Sequence, residues 1–372
     1  MYEQILSQLE TPSILIDLNK TKANIQKMQE TCDRCKVALR PHIKTHKMVR
    51  FAKMQLEAGA KGITCAKVSE AEVMADGGCD DIFIAYPLVG DFRIERAIKL
   101  NQKISRLILA VDSLEGASAL SDAAKKQGIT FEVRLEVETG ANRTGVRHDH
   151  LIETAKKIDE LSNLKLTGIY TFKSLSMYDG SATTDNAAAG EQEGELLKQI
   201  ATELKANGIE IEEISGGSSP TGKWVAQSGN VTEIRPGTYI FKDCILWKEG
   251  VAELDELSAF VVATVVSTPC KEYAVIDGGT KVFPTDILLN QAPYYYESYA
   301  NVVGNDDLIL TRINEEHGML KSKSGNTGLK VGEKLLLYPG HICTTVNLRN
   351  DVYLTDGKTV KKQTVDARGM SV

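Results

Sequence analysis

The sequence predicts an α/β fold, a (β/α)8 TIM-type barrel followed by a C-terminal antiparallel β domain. Its 372 residues exceed one typical domain. Apolar, β-rich segments alternate with amphipathic, helix-like segments up to about Cys244, as in parallel strands joined by crossover helices. Beyond that point strand-like segments follow one another without helices. We expect residues 11–245 to form the barrel and residues 246–372 the β domain, joined by residues 1–10. A doubly wound open sheet is the alternative that periodicity leaves open.

Eight segments rich in apolar and β-branched residues are predicted as parallel strands, the number that a closed barrel needs. They are Ser13–Asp17, Val37–Arg40, Gly62–Cys65, Asp81–Tyr86, Leu107–Val111, Glu132–Val137, Leu166–Thr171 and Ile209–Ile214. The helix-like segments between them include Lys20–Glu30, Met48–Ala58, Leu114–Lys126 and Gly194–Lys205. The strands predicted for the β domain are FVVATVVST, EYAVIDGG, LLLYPG and DVYLTDG.

Composition narrows the range of partners. The net charge of −6 does not suggest a protein that binds nucleic acid, and it gives no basis for binding an anionic membrane surface. No apolar segment reaches the length of a membrane span. The seven cysteines are irregularly spaced, and MYEQILSQLE lacks the features of a signal peptide. We therefore expect a cytoplasmic protein with reduced thiols.

The segment RPHIKTHK, residues 40–47, concentrates basic side chains directly after a predicted strand. Catalytic residues of barrels gather at the carboxyl ends of the strands. Arg40 and His42 are placed to supply cations that lower the pKa of Lys44, so that its amine would be a nucleophile and a base. A solvated basic turn is the alternative.

Two further segments carry small residues after predicted strands. In ETGANRTGV, Arg143 lies between two glycines, and the alternative to a ligand contact is an exposed arginine in a turn. In ISGGSSPT, residues 214–221, small residues leave backbone N–H groups open to an anion, and hydroxyls add donors. Phosphate sites of barrels often lie after the last strands. The alternative is an ordinary tight loop.

The β domain contains PGHICTTVNL, in which His341 and Cys343 are two residues apart. On a strand, such residues face the same side. Imidazole and thiolate are good zinc ligands, but two ligands alone are a weak signal.

These segments, with TPSILIDLNKTKANI, ITCAKVSEAEVMADGG and DDIFIAYPLVG, resemble the D-serine dehydratase and D-threonine aldolase family. That family belongs to the fold-type III pyridoxal-phosphate (PLP) enzymes, which have the alanine-racemase-like fold, and the resemblance covers nearly the whole chain. It implies that Lys44 holds PLP as a Schiff base. The cofactor-binding residues implied are His42, Lys44, Arg143, Tyr170, Gly216, Gly217, Ser218, Thr221 and Tyr239.

The resemblance also implies a metal. In D-serine dehydratases the matching His-x-Cys pair binds zinc, and in the aldolases a His-x-Asp pair binds a harder metal such as manganese. His341 and Cys343 are therefore expected to bind Zn²⁺, with Mn²⁺ as the alternative. One departure bears on the substrate, because Phe172 and Lys173 stand where relatives carry a nearby histidine.

The function so implied is that of a PLP- and metal-dependent lyase acting on a β-hydroxy D-amino acid. D-serine dehydratase-like elimination to a keto acid and ammonia is the first hypothesis. The alternatives are a D-threonine or D-3-hydroxyaspartate aldolase, an amino-acid racemase, and a PLP-binding protein without turnover. The resemblance implies a head-to-tail homodimer.

Overall fold

The protein is described by a computed structural model that covers residues 2–372. The chain divides into two compact units. The β unit comprises residues 2–25, 45–47 and 238–369, and the barrel unit comprises residues 26–44, 48–237 and 370–372. The helices are α1 (Glu3–Leu6), α2 (Leu18–Cys35), α3 (Val49–Glu57), α4 (Val68–Asp76), α5 (Asp91–Lys103), α6 (Leu114–Gln127), α7 (Leu151–Asp159), α8 (Asn186–Ala206), α9 (Gly222–Gln227), α10 (Cys244–Lys248) and α11 (Ile342–Asn347).

The barrel unit is built on a parallel sheet. Its strands are β2 (Ala38–Leu39), β3 (Ile63–Cys65), β4 (Asp81–Pro87), β5 (Arg106–Val111), β6 (Phe131–Glu136), β7 (Leu164–Tyr170), β8 (Glu213–Gly216) and β9 (Glu233–Ile234), in the spatial order β2-β9-β8-β7-β6-β5-β4-β3. The end strands meet where the Lys61 and Thr64 N–H groups donate to the Leu39 and Pro41 carbonyls, both at 2.8 Å. The sheet therefore closes, and the predicted TIM-type barrel is confirmed.

The β unit contains a nine-stranded sheet. Its strands are β1 (Ser13–Asp17), β10 (Ala259–Ser267), β11 (Tyr273–Ile276), β12 (Ala300–Val302), β13 (Leu308–Ile313), β14 (Gly318–Ser322), β15 (Lys334–Pro339), β16 (Asp351–Thr355) and β17 (Val360–Thr364). All pairings are antiparallel except that of β1 with β16. Two clusters of buried apolar side chains form its core, one of which includes Val261 and the other Phe260. The predicted antiparallel β domain is confirmed.

One predicted strand lies in the other sheet. β1 was expected in the barrel, but it pairs with β10 and β16 of the β unit. The eighth barrel strand is instead the two-residue β9, which lies between β2 and β8. All five residues of β1 are buried, so its sequence has the continuous apolar character of any central strand and carries no sign of which sheet it joins. The compact units accordingly differ from the expected limits of 11–245 and 246–372.

Charged side chains fill the barrel near the amino ends of most of its strands. We call them the acid–base layer: Arg40, Asp81, Arg106, Glu132, Arg134, Glu213 and Glu233. Glu233 binds both Arg40 Nε and Arg134 Nη1, at 2.7 and 2.6 Å. Both arginine side chains are 0% exposed. These buried charges are stabilised because each has an opposite charge within hydrogen-bonding distance.

No helix within residues 2–372 combines the length and the apolar character that crossing a membrane requires.

Candidate active site

Lys44 lies in a short 3-10 turn, Ile43–Thr45, directly after the carboxyl end of β2. Its side chain is exposed, and its Nζ lies 5.7 Å from the centre of the Phe172 ring. Arg40 does not supply the cation expected near Lys44, because it is buried and bound to Glu233 and Asp81. His42 accepts the backbone N–H of Lys44 through Nδ1 at 3.4 Å. The amine is thus positioned by the turn and by an aromatic neighbour.

Arg143 and Phe172 face each other at the carboxyl ends of β6 and β7. The guanidinium carbon of Arg143 lies 4.5 Å from the Phe172 ring centre, a cation–π contact. The Arg143 side chain is 55% exposed and is 3.9 Å from Glu136 Oε1. Phe172 therefore lies close to both Lys44 and Arg143, on one rim of the barrel.

Tyr170, the last residue of β7, lies beneath this rim. Its side chain is 2% exposed, and its hydroxyl donates to Glu136 Oε2 at 2.9 Å. Burial and the Glu136 charge raise the pKa of Tyr170 well above its ordinary value. Burial also raises the pKa of Glu136, although hydrogen bonds from Thr144 and Tyr170 oppose that rise. Tyr170 is therefore a neutral donor that holds Glu136 in place.

The turn Gly217–Thr221 follows β8, as expected for the predicted anion-binding segment. Gly216 ends β8, and a Cβ there would lie 2.8 Å from the Leu197 side chain. Gly217 has φ +72°, which favours glycine. Its N–H already donates to Glu193 Oε1 on α8 at 2.7 Å, and the Thr221 hydroxyl donates to Glu193 Oε2 at 3.2 Å. These two donors are therefore shared with a buried carboxylate.

Two hydroxyls from consecutive barrel loops meet beside this turn. Ser218 Oγ lies 3.0 Å from Thr221 Oγ1 and 3.4 Å from Ser174 Oγ. Ser174 has φ +53°, a left-handed conformation that a serine adopts only when its surroundings hold it. Nothing in the sequence around Ser174 indicated this meeting, because it depends on the packing of two loops that lie more than 40 residues apart.

His341 and Cys343 lie in the β unit, but not on a strand. The interpretation from strand alternation was wrong, since His341 caps α11 and Cys343 lies in its first turn. The two side chains nevertheless meet, because His341 is extended (φ −130°, ψ 112°) and the chain turns helical immediately afterwards. Burial alone would raise the pKa of Cys343, but its contact with His341 outweighs burial and lowers it. A thiolate, the form that binds metal, is therefore favoured.

Hydroxyl and carboxylate groups surround this pair. Cys343 Sγ lies 3.2 Å from Thr45 Oγ1 and 3.4 Å from Thr238 Oγ1. Asp286 Oδ2 lies 2.6 Å from His341 Nδ1. Because this contact uses Nδ1, the ring nitrogen that could bind a metal is Nε2. No group of three or more His, Cys, Asp or Glu side chains within residues 2–372 is placed to hold a metal. The described residues therefore present two candidate metal ligands, His341 and Cys343, with Asp286 hydrogen-bonded to His341.

Tyr239 lies in the β unit, in the 3-10 turn Thr238–Ile240, where it is 2% exposed. Its position near a phosphate stays a prediction.

The residues fit the groups that the sequence suggested. The barrel unit offers an accessible amine, an arginine and convergent hydroxyls beyond the carboxyl ends of its strands, which match the aldehyde, ring oxygen and phosphate of PLP. The β unit offers an imidazole and a thiolate, which suit a soft divalent metal.

Comparison with known proteins agrees with this chemistry. Residues 16–244 match the family described as alanine racemase, N-terminal domain, and residues 258–355 match the putative serine dehydratase domain. The chain belongs to the alanine racemase N-terminal domain family, and the resemblance predicted from its motifs is confirmed. Membership implies PLP as the cofactor.

Similar proteins extend over almost the whole chain. A D-threonine aldolase from Arthrobacter sp. is 31% identical over 98% of this chain and 94% of its own length. A D-threo-3-hydroxyaspartate dehydratase from Delftia sp. is also 31% identical, over 92% of this chain and 93% of its own. The solved structure of that dehydratase has a TM-score of 0.87 and 30% identity over 96% of this chain and 98% of the other. The chain is therefore similar to lyases throughout both units.

Three residues of the site escaped the sequence analysis. Glu193 lies in the middle of α8, Ser174 in a loop, and Asp286 is separated from His341 by 55 residues. None of them stands in a motif. Glu193 carried one faint signal, a carboxylate between Gly190 and Gly194, which predicts a close helix contact.

Proposed function

We propose that the protein is a PLP- and metal-dependent lyase that eliminates water from a β-hydroxy D-amino acid, and that the released enamine is then hydrolysed to a keto acid and ammonia. The observation that carries the proposal is the contact between His341 and Cys343, backed by Asp286. A pair of metal-binding side chains is not needed for racemisation, which requires two bases, and it is not needed for carrying PLP. It is needed where a poor leaving group departs from Cβ.

In this proposal Lys44 would hold PLP covalently, Arg143 would approach the ring oxygen, and the Ser218 hydroxyl of the Gly217–Thr221 turn would bind the phosphate. PLP supplies an electron sink for the carbanion at Cα. With PLP bound, the Lys44 amine would serve as the general base that accepts the Cα proton of the substrate. The half-buried Phe172 ring lies beside Lys44 Nζ, whose distance from the ring centre is 5.7 Å.

His341, through Nε2, and the Cys343 thiolate would bind the metal, and Asp286 would fix the tautomer of His341. We propose Zn²⁺, because a thiolate is a soft ligand. Two protein ligands leave positions for water and substrate. A bound metal acts as a Lewis acid on the β-hydroxyl and so helps it to leave.

The cysteine of the pair, in place of an aspartate, supports elimination over aldol cleavage. Structures similar to this chain include a histidine-to-alanine mutant of a D-threo-3-hydroxyaspartate dehydratase and, in a metal-free form, a cysteine-to-alanine mutant two positions further on. The same spacing separates His341 from Cys343.

Aldol cleavage is the second candidate, because the Arthrobacter aldolase is as similar in identity as the dehydratase. There the β-hydroxyl would lose its proton and the Cα–Cβ bond would break.

The test is to incubate protein loaded with PLP and Zn²⁺ with D-serine, D-threonine and D-threo-3-hydroxyaspartate, and to measure keto acid, ammonia, glycine and aldehyde together. We expect keto acid and ammonia in equal amounts, abolished by a chelator and by Cys343→Ala. Glycine with aldehyde would establish the aldolase instead. Turnover that survives both chelation and Cys343→Ala would refute the metal-dependent proposal. The homodimer stays a prediction, to be measured by sedimentation.

A further inference from the structure

The helix α8 contacts both loops that carry the convergent hydroxyls of the barrel unit. Glu193 on α8 accepts the Gly217 N–H at 2.7 Å and the Thr221 hydroxyl at 3.2 Å. One turn earlier, the Ala189 carbonyl accepts the ammonium of Lys173 at 3.1 Å. α8 thus holds the loop after β7 through Lys173 and the loop after β8 through Glu193.

The helix reaches these loops because two of its residues have no side chain. A Cβ at Gly190 would lie 2.7 Å from Trp224 Cβ and 3.0 Å from the Thr221 carbonyl oxygen. A Cβ at Gly194 would lie 2.3 Å from Ser228 Oγ. These close approaches bring Glu193 up to the turn, where a longer distance would leave the Gly217 N–H beyond its reach.

Glu193 and Lys173 are both buried, at 1% exposure each. Burial raises the pKa of Glu193, and the Gly217 N–H and the Lys173 charge oppose that rise. Burial lowers the pKa of Lys173, and the Glu193 charge opposes that fall. Each charge therefore stabilises the other away from water.

Lys173 directly precedes Ser174 in the chain. The hydrogen bond from Lys173 to α8 therefore helps to hold Ser174 in its left-handed conformation. Glu193 likewise anchors the turn that contains Ser218. With both loops held, Ser174 Oγ and Ser218 Oγ lie 3.4 Å apart, close enough to donate to oxygens of one tetrahedral anion.

We propose that Glu193 and Lys173 are positioning residues that bring the hydroxyls of Ser174 and Ser218 together as binding groups for the cofactor phosphate. The inference rests on the proposed function, since it assigns the phosphate of PLP to this point. It adds Ser174 to the binding residues, and it gives the Gly217 N–H and the Thr221 hydroxyl a structural part in shaping the turn.

The test compares PLP with pyridoxal, which lacks the phosphate, in titrations of the cofactor-free protein followed by the absorbance of the lysine-linked cofactor. We expect Glu193→Ala to weaken PLP binding at least tenfold and to leave pyridoxal binding within twofold. Glu193→Gln should recover most of the affinity, because its amide oxygen can accept the Gly217 N–H. Lys173→Met should also weaken the binding of PLP and leave the binding of pyridoxal unchanged. The matched control is Glu191→Ala, an exposed carboxylate on the same helix.

Ser174→Ala keeps the inference testable if the buried variants do not fold, because its side chain is only half-buried. It should weaken PLP several-fold, leave pyridoxal unchanged, and reduce competition by inorganic phosphate. Equal loss of both ligands, or PLP binding as in the unmodified protein, would overturn the inference. If the unmodified protein binds neither compound, the proposed function itself fails, and the two failures are thus distinguished.

Discussion

The two ends of the barrel carry the same kinds of charged side chain in opposite circumstances. In the acid–base layer, Arg40 and Arg134 are fully buried and reach carboxylates at 2.5–2.7 Å. At the other end, Arg143 is 55% exposed and its nearest carboxylate is 3.9 Å away. A buried charge held by an opposite charge stabilises the barrel, whereas an exposed arginine beside an aromatic ring is available to a ligand.

The largest expected effect of a substitution is a loss of turnover, at the carboxyl end of the barrel strands. Lys44→Ala should remove the covalent link to the cofactor and lower turnover by roughly 10²–10⁴-fold, the contribution of a positioned base. The free energy of unfolding should not change, because the side chain is exposed. Lys61→Ala, which removes a lysine bound to Glu213 at the other end, is the control and should keep both cofactor and turnover. A cofactor-linked, active Lys44→Ala protein would contradict the comparison.

The next largest effect is expected in the acid–base layer. Glu233→Gln leaves Arg40 and Arg134 without their shared carboxylate, and breaking such a buried pair costs about 3–5 kcal/mol. Denaturant unfolding measures this cost, and the protein that remains folded should turn over normally. Glu212→Gln, an exposed carboxylate 3.8 Å from Lys165, is the matched control. Lost activity with unchanged stability would place Glu233 in the site instead.

Arg143→Met should have a smaller effect, confined to the ligand. Removing one charged contact to the cofactor should weaken its binding about tenfold, equivalent to about 1.4 kcal/mol. Thermal unfolding of the cofactor-free protein should be unaltered, and Arg147→Met, also exposed, should alter neither quantity. A stability loss in Arg143→Met would show that its contact with Phe172 is structural.

The smallest effect is a gradual dependence of stability on pH. Burial would raise the pKa of Glu213, but hydrogen bonds and charges of Arg106, Lys61 and Arg134 outweigh it and lower the pKa to about 2. Because the folded pKa lies below the ordinary value of 4.5, this stabilisation is complete above that pH and is lost as the pH falls toward 2. The loss is of order 1 kcal/mol at pH 4. Denaturant titrations between pH 6 and about 3 measure this loss of unfolding free energy. If the Glu213→Gln variant shows the same dependence of stability on pH, Glu213 is not its source.

The location of a proposed site residue could be predicted from the sequence where that residue stands in a motif. Lys44, Arg143 and the Gly217–Thr221 turn all follow barrel strands, at the end where the repeated strand–helix pattern places function. The proximity of His341 and Cys343 was predicted for the wrong geometric reason, since a helix start and not a strand brings them together.

Partners that are distant in the sequence could not be predicted. Glu193, Ser174 and Asp286 each act on a residue far along the chain, and their local sequences resemble those of ordinary surface or loop residues. Hydrophobic periodicity reports which face of an element is buried and says nothing of which charged group it meets.

By itself the sequence determined the two kinds of architecture, the order of the motifs and the chemical types of the proposed ligands, because these depend on local pattern and side-chain identity. The tertiary structure alone decided that β1 joins the nine-stranded sheet, that β9 completes the barrel, and that Arg40 belongs to the acid–base layer. It decided these because strand pairing and charge pairing are long-range interactions, and a buried strand or an arginine has the same sequence signature whichever partner it finds.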